Sequence, residues 1–448
     1  MNTPGETRPS GVPVAAPQDG EVLVRWIWAE HAVWTERMLT ALEEGVKGGV
    51  WFRLIDKVWS QRNLQASYGK VAANRGAAGV DHVTVEAFEH DLETNLVRLE
   101  AALRDGSYEP QAIRRAYIPK PGSREQRPLG IPTVRDRVVQ GAVRHVIEPI
   151  FEKEFAQPSY GFRPGRGCKD ALRWVDQLLK QGYVYVVDAD LKSYFDSIPH
   201  ERLMSRLRER IADGRVLRLI ESFLKAGVLD GLEEWEPEAG APQGAVLSPL
   251  LSNIYLNPLD HQMAAQGFEM VRYADDFVIL CRSQAEAEQA LAWVRQWCEA
   301  EGLELHPNKT RIVDVRKEGF DFLGYHFQTT RRGILTRWAR KKSLAKLKET
   351  IRAKTKRTDG SALPCIIADV NRTLRSWFGY FKNSHRTTFT AVDGWVRGRL
   401  RSILRKRAAR RGRGRGRDHQ RWPNAYFAAQ GYFSLEAAFD AACQSPCG

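Results

Sequence analysis

The sequence predicts an α+β protein, and three observations lead to this fold class. Short apolar stretches rich in β-branched and aromatic residues, which are typical of strands, lie at 183–191, 270–280 and 320–327. Apolar residues at helical spacing occupy most of the chain between these stretches. Beyond about residue 331 the composition changes, and strongly basic helical patterns with interleaved aromatic residues follow.

The order of the elements divides the chain into four predicted segments. Residues 1–20 are rich in Pro, Gly and polar side chains and lack the basic and apolar regions of a secretory signal, so we expect disorder there. Residues 21–330 combine helices with strands, residues 331–410 form a basic helical domain, and residues 411–448 begin with an Arg-Gly repeat of low complexity. In the second segment we expect helices at 21–40, 51–68, 85–103, 134–151, 201–210 and 284–301, a helix ending at 256, and strands at 116–121, 127–132, 183–191, 270–271, 277–280 and 320–327.

The charge of the chain indicates the kind of molecule that it binds. The net charge is +14 and the isoelectric point is near 9.5, which favours a polyanionic partner, first nucleic acid and second an anionic membrane surface. No apolar run approaches the ~20 residues that a membrane span needs, so we expect no membrane partner. Basic helical segments with interleaved aromatic side chains are typical of proteins that bind RNA or DNA.

The six cysteines indicate free thiols in a reducing cytosol. None of them forms a CxxC pair, and only Cys443 and Cys447 lie close together in the sequence. Disulfide frameworks belong to small secreted domains, and zinc sites need paired ligands at short spacing. We therefore expect neither.

Adjacent acids between two apolar runs are the candidate centre of a metal site. Asp275 and Asp276 lie at the tip of a predicted hairpin, where turn chemistry alone explains two acids and where we expect little cost of desolvation. Asp188 and Asp190, at the end of another predicted strand, point to one face because they are two residues apart. Together these carboxylates are suited to Mg²⁺, with two ions about 4 Å apart and Mn²⁺ as a substitute, and to in-line phosphoryl transfer.

Cations elsewhere in the chain provide candidate contacts with phosphate. Lys120 and Arg127 flank a basic turn between two short strands, where they either clamp an anion such as a triphosphate or remain solvated surface charges. The loop 159–167 combines aromatic, arginine and glycine residues, including Arg163 and Arg166. Such a loop suits stacking on bases and contact with backbone phosphates.

Three ordered motifs give this chain a family resemblance. They are the strings DLKSYF at 190–195, PQG at 242–244 and YADD at 273–276. With these motifs, the region 51–327 resembles a reverse transcriptase. The fuller strings IPKPGSREQRPLGIP, SYGFRPGRG, APQGAVLSPLLSNIYL and RYADDFVIL are similar to those of the maturase–reverse transcriptases encoded by group II introns.

The resemblance implies a right-hand polymerase, with fingers and a palm that contains an antiparallel sheet, followed by an α-helical thumb or maturase domain. It assigns the catalytic Mg²⁺ site to Asp190, Asp275 and Asp276, but not to Asp188. It places Lys120, Arg127 and Gln243 near the incoming nucleotide. Phe195 would lie beneath the sugar, where its ring would clash with a 2′-hydroxyl and favour deoxynucleotides, and Lys309 would lie near the primer–template or the triphosphate.

Further contacts with nucleic acid follow from the same resemblance. Phe322, Leu323 and Gly324 resemble the segment that grips the primer end, and the C-terminal basic helices resemble the region that binds intron RNA. The residues expected to contact nucleic acid are Arg163, Arg166, Phe322, Leu323, Gly324, Lys341, Lys342, Arg375 and Trp377. Many relatives continue into an HNH-type endonuclease with paired cysteines and histidines, which we do not expect here.

The expected partners are group II intron RNA, an RNA template with a DNA primer, deoxynucleoside triphosphates and a DNA target, in the cytoplasm and nucleoid of a bacterium. The oligomeric state remains open. Three alternative functions also remain open at this point. They are a domesticated reverse transcriptase in phage defence or CRISPR adaptation, an RNA-binding splicing factor without polymerase activity, and an RNA-dependent RNA polymerase.

Overall fold

The computed structural model describes residues 25–119, 126–330, 332–410 and 416–444. Within them the chain has an α+β fold, which confirms the predicted fold class. The predicted disordered segment 1–20, Lys120 and most of the Arg-Gly repeat lie outside the described residues. Among the described residues, no helix combines the length and the apolar character needed to cross a lipid bilayer.

The described chain divides into two compact units. The first comprises residues 25–118, 126–178 and 187–312, and the second comprises Pro119, residues 179–186 and the described residues from 313 onward. The boundary between the two units thus lies at residue 313, before the change in composition at about residue 331.

Helices supply most of the first unit. Those before residue 312 are α1 (Glu36–Glu44), α2 (Ile55–Val58), α3 (Gln61–Asn74), α4 (Val85–His90), α5 (Leu92–Asp105), α6 (Val134–Glu152), α7 (Cys168–Lys180), α8 (Tyr194–Ser197), α9 (His200–Arg208), α10 (Gly214–Lys225), α11 (Ser248–Ala265) and α12 (Gln284–Ala300), with a 3₁₀ turn at Lys47–Gly49.

Two of the expected helices differ from the structure near the N-terminus. Residues 26–35 of the helix expected at 21–40 are turns and loop, and helix α1 begins at Glu36, where Thr35 caps it by accepting a hydrogen bond from the Met38 amide. The helix expected at 51–68 is split into α2 and α3, since Ser60 has an extended ψ of 127°. The apolar periodicity predicted the buried faces, but not these breaks.

Two sheets position the candidate residues. The first has the order β2-β1-β4-β5 and is built from β1 (Ile113–Pro119), β2 (Gln126–Ile131), β4 (Val228–Asp230) and β5 (Glu233–Trp235). The second has the order β6-β7-β3-β8 and is built from β3 (Tyr185–Asp190), β6 (Glu269–Tyr273), β7 (Asp276–Cys281) and β8 (Arg311–Asp314). Strands β6 and β7 pair antiparallel, and their last pair is Tyr273 with Asp276.

Helix α6 forms the centre of the first unit, and most of its residues are buried. Polar side chains of α3 fix its position, because Asn63 donates to the Ala142 carbonyl at 3.0 Å and Ser67 donates to the Val138 carbonyl at 2.7 Å. The helices approach closely where α6 has Gly141, at which an added Cβ would lie 2.1 Å from the Ser67 hydroxyl.

The second unit combines a small antiparallel sheet with basic helices. The sheet has the order β11-β10-β9, from β9 (Phe320–Phe322), β10 (Tyr325–Thr329) and β11 (Leu335–Ala339). The helices are α13 (Lys341–Lys354), α14 (Leu363–Phe381), α15 (Arg386–Arg407), α16 (Arg417–Arg421), α17 (Asn424–Ala429) and α18 (Leu435–Gln444). The sheet contacts helix α14, since the Tyr325 ring centroid lies 5.1 Å from that of Phe381 and the Tyr325 hydroxyl donates to the Tyr380 carbonyl at 2.7 Å.

Candidate active site

The acidic hairpin has the predicted form of two strands joined by a tight turn. Strand β6 ends at Tyr273 and strand β7 begins at Asp276, so that Ala274 and Asp275 form the turn. Ala274 has φ +60°, which lies in the left-handed region that a residue with a Cβ rarely adopts. Contacts with residues outside the hairpin must therefore stabilise this turn.

A buried ion pair stabilises the turn. The side chains of Arg272 and Asp260 are both 0% exposed, and Arg272 donates two hydrogen bonds to the Asp260 carboxylate, one of them at 2.7 Å from Nε. Arg272 also donates from Nη1 to the Ala274 carbonyl and to Asn253 Oδ1, both at 2.9 Å. Burial alone would lower the pKa of Arg272, but the Asp260 carboxylate outweighs it and raises this pKa. The guanidinium thus stays charged and fixes the turn carbonyl.

Sequence reasoning missed this pair. Arg272 was visible as an arginine within an apolar strand, which is a signal for a buried partner. The partner itself, Asp260 on α11, lies in a helix whose sequence contains nothing to connect it with the hairpin.

The loop that precedes α7 packs directly under the hairpin turn. The Tyr160 amide donates to the Arg272 carbonyl at 2.8 Å, and Asn253 donates from Nδ2 to the Gly161 carbonyl at 2.8 Å. At Gly161 an added Cβ would lie 2.2 Å from the Ala274 amide nitrogen, which leaves no room for a side chain. The same asparagine therefore connects the loop and the turn.

Arg163 and Arg166, which were both expected to contact nucleic acid, form hydrogen bonds with the protein in this structure. Arg163 is buried, forms an ion pair with Glu152 at 2.7 Å, and donates to the carbonyls of Ala156 and Ser159. Arg166 donates to Gln157 through its backbone and side-chain oxygens, both at 2.6 Å. Because the donors of Arg163 are directed inward, it organises the loop in this structure, and its contact with nucleic acid stays a prediction.

Asp190 lies at the end of β3, where a lysine neutralises it. The Lys309 ammonium is 2.5 Å from Asp190 Oδ2, and the His306 amide donates to the Asp190 carbonyl at 2.7 Å. Asp188, two residues earlier, lies 3.6 Å from Nε of Arg311. The loop that carries Lys309 therefore runs along the end of β3.

Asp275 is more buried than its place in a turn predicted. Burial raises the pKa of this carboxyl, the charge of Asp190 raises it further, and Arg127 acts in the opposite direction. Our expectation of little desolvation at the tip was wrong for Asp275, whereas Asp276 is exposed. The turn thus carries one carboxyl group that is partly removed from solvent and a second that is exposed.

The donor chemistry fits a hard divalent cation, since carboxylate oxygens are the ligands that Mg²⁺ prefers. In the arrangement found here, however, no three His, Cys, Asp or Glu side chains of the described residues converge closely enough to bind a metal ion. One candidate ligand, Asp190, has Lys309 as its counter-ion instead.

Two residues expected near the nucleotide are brought together. Arg127 on β2 donates from Nε to Gln243 Oε1 at 2.7 Å, and the Gly130 amide donates to the Gln243 carbonyl at 2.6 Å. The segment around Gln243 thus lies along β2. Lys120, the third expected residue, lies outside the described residues.

Phe195 is held against the same segment. The Ala241 amide donates to the Phe195 carbonyl at 2.7 Å, and an added Cβ at Gly240, which has φ +101°, would lie 2.9 Å from that carbonyl oxygen. Phe195 and Gln243 line one cavity of about 450 Å³, together with Trp235. The ring therefore has a fixed backbone and open space beside it.

In the second unit, the residues expected to grip a primer form a tight turn. Phe322 is 1% exposed and belongs to the core, while Leu323 and Gly324 have φ values of +45° and +84°. The Tyr380 hydroxyl donates to the Leu323 carbonyl at 2.6 Å. Only the turn itself, and not the Phe322 ring, is available for contact in this structure.

The remaining predicted contacts fall into two groups. Lys341 and Lys342 are exposed in the first turn of α13, where the helix dipole disfavours cations and an anionic partner would offset this effect. Arg375 lies over the Phe433 ring at 4.5 Å. Trp377 stacks on Phe381 with a centroid distance of 4.7 Å, so its main contacts are with the protein.

Two families match the chain. The family described as reverse transcriptase (RNA-dependent DNA polymerase) matches residues 118–327, and the group II intron, maturase-specific domain matches residues 344–422. The first match contains the acidic hairpin, Asp190, Phe195 and Gln243, and the second contains most of the basic helices.

Three relatives each match about half of the chain. Protein YkfC of Escherichia coli (strain K12) is 38% identical over 290 residues, which cover 55% of this chain and 74% of that protein. The group II intron-encoded protein LtrA of Lactococcus lactis subsp. cremoris is 40% identical over 196 residues, which cover 43% of this chain and 32% of LtrA. Nuclear intron maturase 2, mitochondrial, of Arabidopsis thaliana is 30% identical over 231 residues, which cover 42% of this chain and 31% of that protein.

We predict that Asp275→Asn stabilises the chain when divalent cations are removed. The substitution eliminates a desolvated charge that Asp190 repels, so the free energy of unfolding should rise by about 1 kcal/mol. Chemical denaturation in EDTA measures this change, and added Mg²⁺ should stabilise the wild type more than the variant. Asp91→Asn, at an exposed carboxylate, is the control and should change stability by less than about 0.5 kcal/mol. A variant less stable than the wild type in EDTA would contradict the prediction.

Proposed function

The chain belongs to the family of group II intron-encoded reverse transcriptases and maturases, and from this premise we propose that it copies an RNA template into DNA and also binds an intron RNA to assist splicing and mobility. One observation carries the polymerase part of the proposal. The reverse transcriptase match at 118–327 contains the hairpin turn with Asp275 and Asp276, the end of β3 with Asp190, and the strand β2 with Arg127. Arg127 in turn is hydrogen-bonded to Gln243.

The three aspartates would hold the metal. Asp190, Asp275 and Asp276 supply hard oxygen ligands, and bound Mg²⁺ ions would neutralise the triphosphate and stabilise the attacking and leaving oxygens of phosphoryl transfer. Lys309 keeps the Asp190 charge neutralised, and opening of this ion pair would free its ammonium group for the triphosphate or the primer–template.

The nucleotide would lie between β2 and the segment that carries Gln243. Arg127, together with Lys120, would bind the triphosphate, because arginine donors match phosphate oxygens. Gln243 orients Arg127 by accepting its Nε hydrogen bond. Phe195 would face the sugar, and the contacts of its carbonyl with Ala241 and Gly240 would keep the ring in place against a 2′-hydroxyl.

The second unit would bind RNA. The maturase-specific match at 344–422 and the basic helices α13 to α15 support this role, with Lys341 and Lys342 as phosphate contacts. We place the protein in the bacterial cytoplasm, where an intron RNA, deoxynucleoside triphosphates and a DNA target are all present.

Primer extension on an RNA template tests the polymerase proposal. Wild-type protein with Mg²⁺ and deoxynucleotides should lengthen a DNA primer, and Asp275→Ala should reduce the rate by about a thousandfold or more, since it removes a ligand needed for charge stabilisation in the transition state. Asp91→Ala serves as the control and should extend normally. If wild type and Asp275→Ala were equally inactive, the polymerase proposal would be overturned. The protein would then be a splicing factor without polymerase activity.

Phe195→Ala should relax the selection of the sugar. Without the ring, a 2′-hydroxyl no longer meets a steric barrier, so the ratio of kcat/KM for deoxynucleotides over ribonucleotides should fall on the order of tenfold to a hundredfold. Single-nucleotide insertion kinetics measure this ratio, and Phe195→Tyr should keep it near the wild-type value. Unchanged ribonucleotide use by Phe195→Ala would argue against the gate, and efficient ribonucleotide use by the wild type would favour an RNA polymerase.

Replacing Lys341 and Lys342 together by alanine should weaken RNA binding without changing its dependence on sequence. If each lysine contacts one phosphate, the slope of log affinity against log salt should become shallower by about 1.5. Filter binding or fluorescence anisotropy at several salt concentrations measures this slope. A Lys57→Ala, Lys225→Ala double variant removes the same charge from lysines paired with acids, and it should keep the wild-type slope. Equal slopes for all three proteins would exclude the two lysines from the RNA surface.

A further inference from the structure

Phe162 is an exposed aromatic side chain on a strained backbone. Its side chain is 44% exposed, and its φ of +59° lies in the left-handed region, where a bulky residue is an outlier. A buried ring could offset such strain by packing in the core, but a ring that is nearly half exposed gains much less from packing. Strained residues of this kind cluster at functional sites, where the surrounding structure enforces the conformation.

The residues on both sides of Phe162 are anchored. Gly161 accepts a hydrogen bond from Asn253 and lies against the Ala274 amide, where no Cβ would fit. Arg163 is buried in an ion pair with Glu152. The loop cannot relax the strain without breaking one of these contacts, so Phe162 is presented in a fixed place.

This fixed place is beside the acidic hairpin. The ring centroid of Phe162 is 6.4 Å from that of Tyr273, with 45° between the ring planes. Tyr273 pairs directly with Asp276 across the hairpin and is two residues from Asp275. The two rings therefore form an aromatic surface next to the candidate metal ligands.

The chemistry of the loop restricts what this surface can bind. The guanidinium group of Arg163 is directed into the protein, and Arg166 donates to Gln157. The loop therefore offers an aromatic face rather than a group of phosphate-binding cations. Aromatic faces bind nucleobases and sugars by stacking and apolar contact, whereas phosphates need donors or cations.

We propose that Phe162 contacts the terminal base pair of the primer–template duplex and thereby positions the primer 3′ end at the carboxylates. The inference rests on the proposed polymerase function, which supplies the duplex, and goes beyond it by assigning this contact to a named side chain. Phe162 acts as a positioning residue, since the chemistry belongs to the aspartates.

Two measurements test the role of Phe162. In single-nucleotide extension, Phe162→Ala should raise the KM for primer–template about tenfold while the KM for the deoxynucleotide stays within about twofold of wild type. In binding assays with EDTA, 2-aminopurine at the primer 3′ end should change its emission with wild-type protein and change it much less with Phe162→Ala. Phe162→Trp should restore both values, because a larger aromatic face is retained. Phe52→Ala removes an aromatic ring that is 64% exposed in the same unit and should behave as wild type.

The outcomes separate this inference from the function on which it rests. If the wild type extends primers and Phe162→Ala shows the wild-type KM and emission, the inference is overturned and the polymerase proposal stands. If the wild type does not extend primers, the polymerase proposal is overturned, and the fluorescence still decides the contact because it requires binding alone. Absence of primer–template binding by the wild type would overturn both.

Discussion

The buried ion pair between Arg272 and Asp260 is the interaction on which the candidate active site depends. Both side chains are fully removed from solvent, and the guanidinium group also binds the carbonyl of the left-handed turn residue Ala274. Removing one partner of such a pair leaves an uncompensated charge in the interior and typically costs about 3–5 kcal/mol. Here the loss of the pair would destabilise the turn that carries Asp275. The pair therefore ties the stability of the unit to the geometry of its carboxylates.

The negative charges of Asp275 and Asp190 oppose folding. Burial and the charge of Asp190 both raise the pKa of Asp275, which means that the ionised form is disfavoured in the folded chain. Lys309 reduces the negative charge by pairing with Asp190. Acidic side chains that repel one another reduce stability, so selection for stability alone would replace them. Their presence therefore indicates a functional role.

The sequence was sufficient to predict the hairpin, the strand that ends at Asp190, and the basic helices. These predictions succeeded because each rests on local periodicity and on short motifs. It was not sufficient for contacts between residues distant in the chain. Asp260 could not be recognised as the partner of Arg272, and Arg163 was expected at the surface because arginine beside glycine and aromatic residues is typical of nucleic-acid loops. The burial of Asp275 was missed for the same reason, since the elements that cover it come from other parts of the chain.

Helix α11 makes contacts near both ends of the candidate site. At its start, the Ser248 hydroxyl donates to the Pro242 carbonyl at 2.7 Å, next to Gln243, and further along it carries Asn253 and Asp260, which reach the acidic turn. Both sets of contacts belong to one helix, but Pro258 lies between Asn253 and Asp260 and removes one of its internal hydrogen bonds. The part of α11 before this proline, from Ser248 to Asn253, contacts both the segment next to Gln243 and the turn that carries Asp275, so a displacement of this part would move the two together. Such a coupled movement would preserve the spacing between the segment and the turn, which the proposed in-line displacement requires of its reacting groups.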